Sequence, residues 1–178
     1  MKFKFFRHLA LVTKHRHQVF KNCVRCGLFW RGLVHDLSKF SPAEFFESVK
    51  YFNGKASPLS GARIAKGYTT AWLHHKGRNK HHTEYWYDPE CKVLPIMPYK
   101  YAVECVCDKI AATKCYKKKD YKPEDVLNHW KNVGSLFPVN EKINKFLTTV
   151  FTDLVNCGEK HILNKKYMKK TYKEIVEQ

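Results

Sequence analysis

The chain has 178 residues, of which 44% are apolar and 15% aromatic. A chain of this length and composition can bury a substantial core, which excludes a disordered or low-complexity protein. Lysine and arginine number 33 against 16 aspartates and glutamates, giving a formal net charge of +17. We therefore expect an anionic partner: a nucleotide, a phosphorylated small molecule, nucleic acid or an anionic membrane face.

The sequence offers no candidate membrane span, since no window approaches the roughly 18 uninterrupted apolar residues that a span needs. The first residues begin like a signal peptide, but charged side chains interrupt them, and we interpret them as the start of a helix. Seven cysteines, an odd number, favour reduced thiols packed inside helices. These features together predict a cytoplasmic protein.

The hydrophobic pattern predicts an all-α fold, because no run of the sequence sustains the alternation of a strand. We expect one domain over residues 1–178. Proline and glycine positions delimit the predicted helices, with loops at residues 53–61 and 77–97. The predicted helices cover residues 3–26, 28–38, 42–52, 62–76, 99–116, 123–133, 139–156 and 162–176. At the third of them, Ser41, Pro42 and Glu44 form the pattern of a capping box.

The adjacent pair His35 and Asp36 is the first candidate functional feature. An imidazole nitrogen and a carboxylate oxygen at neighbouring positions can reach one cation, and Lys39 follows one helical turn later, where it can neutralise an anion. A His-Asp pair alone is weak evidence, since either side chain can simply hydrogen-bond a backbone group. Further ligand-type residues on both sides of the pair give it weight.

Four histidines within nine residues form the second feature, at His74, His75, His81 and His82. If this segment is helical, residues seven positions apart share a face, so that His75 would lie above His82 and His74 above His81. The sequence leaves open which member of each pair binds a ligand. The alternative is a solvated basic loop with incidental histidines.

Three more residues complete the candidate set. Asp108 and Glu104 lie on one face of a helix that is otherwise apolar, where an unpaired carboxylate would be costly to bury. A salt bridge is the commoner explanation for either residue alone. His15 lies on the apolar stripe of the first helix, where a hydrogen-bonded core histidine is the commoner explanation.

Taken in chain order, these residues resemble the HD-domain superfamily of metal-dependent phosphohydrolases. Residues 35–39 are similar to the His-Asp-x-x-Lys form common there. More narrowly, the chain resembles a family of short HD-like proteins known only as a domain of unknown function. The resemblance implies an HD-domain-like helical bundle with a core over about residues 9–112 and a C-terminal helical extension over about residues 115–178.

The resemblance also implies a site. It assigns His15, His35, Asp36 and Asp108 to a first divalent metal. The additional histidines His75, His81 and His82 resemble those of members that hold two metals, so one or two ions are expected, with Asp36 as the bridge if there are two. Ligands of this kind suit Mn, Fe, Co, Ni or Zn. Lys39 and Arg78 would stabilise negative charge on a phosphoryl group, and Glu104 would orient a ligand histidine.

The function implied is hydrolysis of a phosphomonoester, nucleotide or phosphodiester by a metal-activated water. One alternative is a di-iron oxygenase, because some proteins with a similar ligand pattern activate dioxygen. Another is a basic helical protein that binds nucleic acid without catalysis, in which any metal is structural.

Overall fold

Ten α-helices, joined by 3₁₀ turns and loops, make up most of the chain in this computed structural model, which describes residues 2–134, 136 and 138–178. No strand forms among those residues, which confirms the predicted all-α fold class. The helices are α1 (Lys2–Arg25), α2 (Phe29–Val34), α3 (Pro42–Tyr51), α4 (Pro58–Lys66), α5 (Thr70–Arg78), α6 (Tyr99–Lys117), α7 (Pro123–Gly134), α8 (Glu141–Cys157), α9 (Glu159–Ile162) and α10 (Lys165–Val176).

Helix α2 ends four residues earlier than predicted, so His35 and Asp36 are not helical. His35 has extended backbone, Asp36 is left-handed with φ 52°, and a 3₁₀ turn follows at residues 37–40. The cause is a tertiary contact: Arg16 of α1 donates hydrogen bonds to the carbonyls of Leu33 and His35 at 2.9 and 2.7 Å. These bonds satisfy carbonyls at the helix end, where no intrahelical partner exists.

Two other segments, each predicted as one continuous helix, are divided in the structure, so these predictions were wrong. The segment predicted as one helix over residues 62–76 is divided at Gly67, which is left-handed with φ 79°, and Thr69 caps α5 by accepting from the Trp72 amide. The segment predicted over residues 162–176 contains a break as well. There, the side chain of Asn164 accepts from the amides of Lys166 and Tyr167 in the first turn of α10.

The core lies around α6, which packs against α1 on one side and α8 and α10 on the other. Residues 102–107 of α6 are all buried, so Glu104 and the neighbouring Asp108 are carried by the most enclosed helix of the fold. Five of the seven cysteines are buried free thiols, as predicted for most of them.

Helix α3 packs against α1, α4 and α5 and brings the histidine-rich segment towards α6. No helix in the described part of the chain has the length and apolarity to cross a membrane.

Candidate metal centre

Seven histidine and aspartate side chains converge from α1, the turn after α2, the segment from α5 to residue 82, and α6. Their ligand atoms form two groups, and within each group the atoms all lie within 4.8 Å of one another. The first group is His15, His35, Asp36 and Asp108, and the second is Asp36, His75, His81 and His82. All seven residues proposed from the sequence as metal ligands are therefore brought together.

Asp36 belongs to both groups and turns one oxygen towards each. Its Oδ2 lies 3.3 Å from His35 Nε2 and 3.7 Å from His15 Nε2. Its Oδ1 lies 3.5 Å from Nε2 of both His75 and His81. The left-handed backbone at Asp36, which aspartate tolerates better than most residues, presents the carboxylate between the two sets of imidazoles.

Asp108 closes the first group from the side of α6. Its Oδ1 lies 3.1 Å from His15 Nε2 and 3.5 Å from His35 Nε2, and its Oδ2 lies 3.9 Å from His81 Nε2. The Asp108 side chain is 14% exposed, whereas that of Asp36 is 1% exposed. Solvent therefore reaches the centre at Asp108.

The donor atoms fit a bound cation. Asp36 Oδ1, His81 Nε2 and His82 Nε2 are buried and form no hydrogen bond, although buried polar atoms in folded proteins nearly always have a partner. Two ligand atoms bound to one cation at about 2.1 Å lie roughly 3 Å or slightly more apart. The spacing of the atoms around Asp36 is close to that value, so each group could hold a metal ion.

Two further carboxylates hold the histidines from behind. Glu104 Oε1 lies 3.0 Å from His35 Nδ1, and Arg31 donates to Glu104 Oε2 at 2.7 Å. Glu44 Oε2 lies 2.7 Å from His75 Nδ1. An imidazole that donates its Nδ1 proton to a carboxylate keeps the lone pair of Nε2, and here that nitrogen points at Asp36.

The charged side chains of the metal centre shift one another's pKa values. Burial alone would raise the pKa of Asp36, but His35 and Lys39 hold it well below its usual value. Burial alone would lower the pKa of His15, but hydrogen bonds to Asp108 and Asp36 raise it to about 9. A cation entering the first group would therefore displace protons.

The pKa of His82 is shifted in the opposite direction from that of His15. Burial, followed by the neighbouring His81 and His75, lowers the pKa of His82 well below its usual value. Its ring stands edge-on to Trp72 with the centroids 4.9 Å apart. His82 is therefore a neutral imidazole, the form that binds metals.

The structure also decides between the paired histidines. His75 faces Asp36, whereas His74 turns its Nδ1 to Glu44 Oε1 at 2.7 Å and lies outside both groups. Both His81 and His82 belong to the second group, because α5 ends at Arg78 and the chain beyond it is no longer helical. The condition for helical eclipsing of residues seven apart, one continuous helix over both pairs, is therefore not met.

Only one of the two residues predicted to stabilise negative charge on a phosphoryl group reaches the metal centre. Lys39 reaches the centre, with Nζ 2.6 Å from Asp36 Oδ2, although it does so from a 3₁₀ turn rather than a helix. Burial alone would lower the pKa of Lys39, but Asp36 and Asp108 raise it, so the ammonium stays charged. Arg78 is exposed at the last residue of α5 and is not brought into either group.

The capping box predicted at the start of α3 was wrong. Ser41 occupies the N-cap position and Pro42 follows it, but the Ser41 side chain makes no capping hydrogen bond. Glu44 is 3% exposed and binds His74 and His75 instead. The two imidazoles are stronger partners for the buried carboxylate than the backbone amide of a capping box, because they allow it two short hydrogen bonds.

Sequence reasoning missed four supporting residues: Arg31, Ser38, Glu44 and Asn79. Asn79 donates to Ser38 Oγ at 2.8 Å and to the His75 carbonyl at 2.8 Å, which joins the His-Asp turn to the end of α5. Ser38 and Glu44 lie in the same short stretch as the His-Asp pair, so proximity in sequence was the available signal. Arg31, four residues before His35, and Asn79, between His75 and His81, carry the same signal.

Comparison with known proteins gives one assignment. No curated protein and no solved structure matches the chain. Residues 4–153 match the family described as "Family of unknown function (DUF5662)", and the chain therefore belongs to that family.

Proposed function

We propose that the protein is a metal-dependent hydrolase of phosphate esters, of the HD type, acting on a phosphomonoester, nucleotide or phosphodiester. The observation that carries this proposal is the shared Asp36, whose two oxygens face two separate sets of imidazoles. A carboxylate between two ligand groups is the arrangement expected of a paired divalent site for phosphoryl transfer.

The ligand set favours transition metals. It contains imidazole and carboxylate groups without a thiolate, which suits Mn, Fe, Co, Ni or Zn. Divalent cations bound there would supply Lewis-acid charge and lower the pKa of a water molecule towards neutrality.

The net charge of the ionisable side chains at the metal centre supports the same proposal. The four carboxylates Asp36, Glu44, Glu104 and Asp108 face two cations, Arg31 and Lys39, which leaves two negative charges when the histidines are neutral. Two divalent cations would make the centre positive overall. A positive, partly enclosed centre attracts a phosphoryl group.

The chain's own residues have distinct roles in this proposal. Lys39, whose side chain is 29% exposed, can donate a hydrogen bond to a phosphoryl oxygen and offset its developing charge. Glu104 and Glu44 fix the rings of His35 and His75 so that each Nε2 stays aimed at Asp36. Asp108 lies at the open side, where substrate would approach.

An oxygenase is the second candidate, favoured by the excess of imidazole over carboxylate ligands: five histidines against two aspartates. Imidazole suits iron as a ligand, and metal availability rather than raw affinity decides which transition metal is bound. Oxygen-dependent turnover with iron bound would distinguish this activity from hydrolysis.

The test combines elemental analysis of the purified protein with a screen of phosphomonoesters, nucleotides and phosphodiesters after loading with each metal in turn. We expect bound transition metal, release of phosphate or of a monoester, and loss of both in Asp36→Asn. Val93→Ser, at an exposed site, is the matched control. Metal-loaded protein that hydrolyses none of these compounds would contradict the proposal, and oxygen consumption by the iron form would favour the alternative.

A further inference from the structure

An exposed apolar face is formed by side chains of α1, α2, α3 and the 3₁₀ turn at residues 37–40. It includes Phe6, Trp30 and Phe46, which are 65%, 73% and 62% exposed, together with Leu37 and Phe40. Single exposed apolar residues are ordinary on protein surfaces, but a continuous set of large ones marks an interaction site. We name these five residues the apolar face.

Contacts between neighbouring side chains connect Phe6, Phe40 and Phe46. Phe40 and Phe46 line an apolar groove of about 280 Å³ with Phe5, Leu9, Pro42 and Phe45. The ring of Phe6 lies 5.4 Å from that of Phe5. Arg16 stands 5.2 Å from the Phe40 ring and also donates to the Leu33 carbonyl at the end of α2, the helix that carries Trp30.

The charge around the apolar face is of one sign. Residues 1–43 contain nine lysines and arginines and one acidic residue, Asp36. That residue is 1% exposed and belongs to the metal centre. Arg31 and Lys39 are paired with Glu104 and Asp36. The other seven of the nine cations leave this part of the chain positively charged beside its exposed aromatic and aliphatic side chains, with its single carboxylate turned inward.

We propose that the apolar face docks on an anionic lipid surface. Its aromatic side chains would enter the boundary between headgroups and acyl chains, and the surrounding lysines and arginines would contact the lipid phosphates. Trp30 suits that boundary because its ring is apolar and its indole N–H is polar. This inference is independent of the proposed hydrolase activity.

Other occupants fit these observations less well. Two copies of the chain meeting through this face would bring like charges together, which is repulsive. Single-stranded nucleic acid would use the aromatic rings for stacking but would gain little from Leu37 or from an apolar groove. A lipid surface uses the rings, the aliphatic side chains and the cations together.

The experiment is co-sedimentation of the full chain with vesicles of phosphatidylcholine alone or mixed with phosphatidylglycerol. The tryptophan emission of the protein is recorded in parallel; Trp30 is the most exposed of its four tryptophans. We expect binding only to the anionic vesicles, a blue shift of the emission, and weaker binding as salt is raised. The double variant Phe6→Ser/Phe46→Ser should lose at least about tenfold in affinity, since each ring buries a large apolar area.

Val93→Ser is the control for general loss of exposed apolar surface, because Val93 is 78% exposed and lies outside the apolar face. It should bind like the unmodified protein, and circular dichroism should report the same helical content for all three proteins. Equal binding by the double variant, or no binding to anionic vesicles, would overturn the proposal. So would a dimer in the unmodified protein that disappears in the double variant, because the face would then join two copies.

Discussion

Glu44 and Glu104 divide the support of the metal centre between them. Glu104 contacts His35 of the first ligand group, and Glu44 contacts His75 of the second. Arg31 holds Glu104 through two hydrogen bonds of 2.7 and 2.8 Å, whereas Glu44 is held by two imidazoles. Glu104 Oε1 also lies 3.4 Å from Nδ1 of His81 in the second group, so of the two carboxylates only Glu44 acts on one group alone.

Glu44→Gln should weaken metal binding at the second ligand group alone. The amide has no negative charge to stabilise the Nδ1–H of His75, and loss of such a contact typically lowers metal affinity by about 10–100-fold. Titration with Mn or Zn, followed by calorimetry, should show one weakened site and one unchanged site. Glu174→Gln, at an exposed carboxylate of α10 without a histidine contact, serves as the control, and equal weakening of both sites would contradict the assignment.

Asp36→Asn should remove metal from both groups, because both use this carboxylate. Asparagine tolerates left-handed backbone, so the turn after α2 should keep its conformation and the helical content should not change. Asp108→Asn, which alters the first group, should still leave His75, His81, His82 and Asp36 able to bind. Elemental analysis of the three proteins gives the metal content per chain; full occupancy in Asp36→Asn would refute the shared ligand.

At the scale of the elements, Glu47 joins three helices. From α3, its carboxylate accepts from Lys66 Nζ of α4 at 2.5 Å and from Thr70 Oγ1 and the Ala71 amide of α5 at 2.6 and 2.7 Å. Burial would raise the pKa of Glu47, but these bonds lower it from 4.5 to about 2. The carboxylate also lies at the N-terminus of α5, where the helix dipole favours a negative charge.

This shift predicts an acid-sensitive contribution to stability. Because the pKa of Glu47 is lower in the folded state, its contribution is fully present above about pH 4.5 and is lost as the pH falls towards 2. Glu47→Gln should therefore have a lower free energy of unfolding than the unmodified protein at neutral pH. This difference, the stability gap, should become smaller as the pH falls. Urea unfolding at several pH values measures the gap.

Glu174→Gln is the matched control for that experiment. Glu174 pairs with Lys170 at 3.8 Å, but its side chain is 54% exposed, against 11% for Glu47. Exposed pairs of this kind contribute little to stability. A gap of the same size and pH dependence in both variants would show that the α3–α4–α5 contact has no special role.

The helices differ in how well the sequence predicts them. Helices α1, α6 and α8 were predicted to within two residues at each end, because long periodic patterns end there at proline, glycine or a capping side chain. The end of α2 could not be predicted. It depends on Arg16 reaching across from another helix, and this contact has no trace in the local pattern.

At the metal centre too, some features could be predicted from the sequence and others depended on tertiary contacts. The candidate ligands could be chosen from the sequence because histidine and aspartate cluster at few positions, and all seven meet in the structure. The choice between His74 and His75, and the role of Glu44, depended on how α3 packs against α5. Those outcomes follow from tertiary contacts rather than from residue type or spacing.

At the scale of the whole molecule, α6 links the metal centre to the C-terminal helices. Glu104 and Asp108 face the histidines, while Val103 and Val106 belong to a hydrophobic cluster that includes residues of α7, α8 and α10. The sequence resemblance stopped at about residue 112, yet the later helices complete the core behind α6. The positions of the two carboxylates thus depend on packing from the C-terminal third of the chain.

Phe151→Ala tests this coupling. Phe151 of α8 is fully buried and packs against Trp130, so its truncation should lower the free energy of unfolding by about 3–5 kcal/mol. Phe6→Ala is the matched control, because Phe6 is exposed and the change should be within about 0.5 kcal/mol. Urea unfolding, followed both by circular dichroism and by metal release, should give one coincident transition for each protein. If metal release and helix loss separate into two transitions in Phe151→Ala, the C-terminal helices are an independent unit, and the carboxylates of α6 do not rely on them.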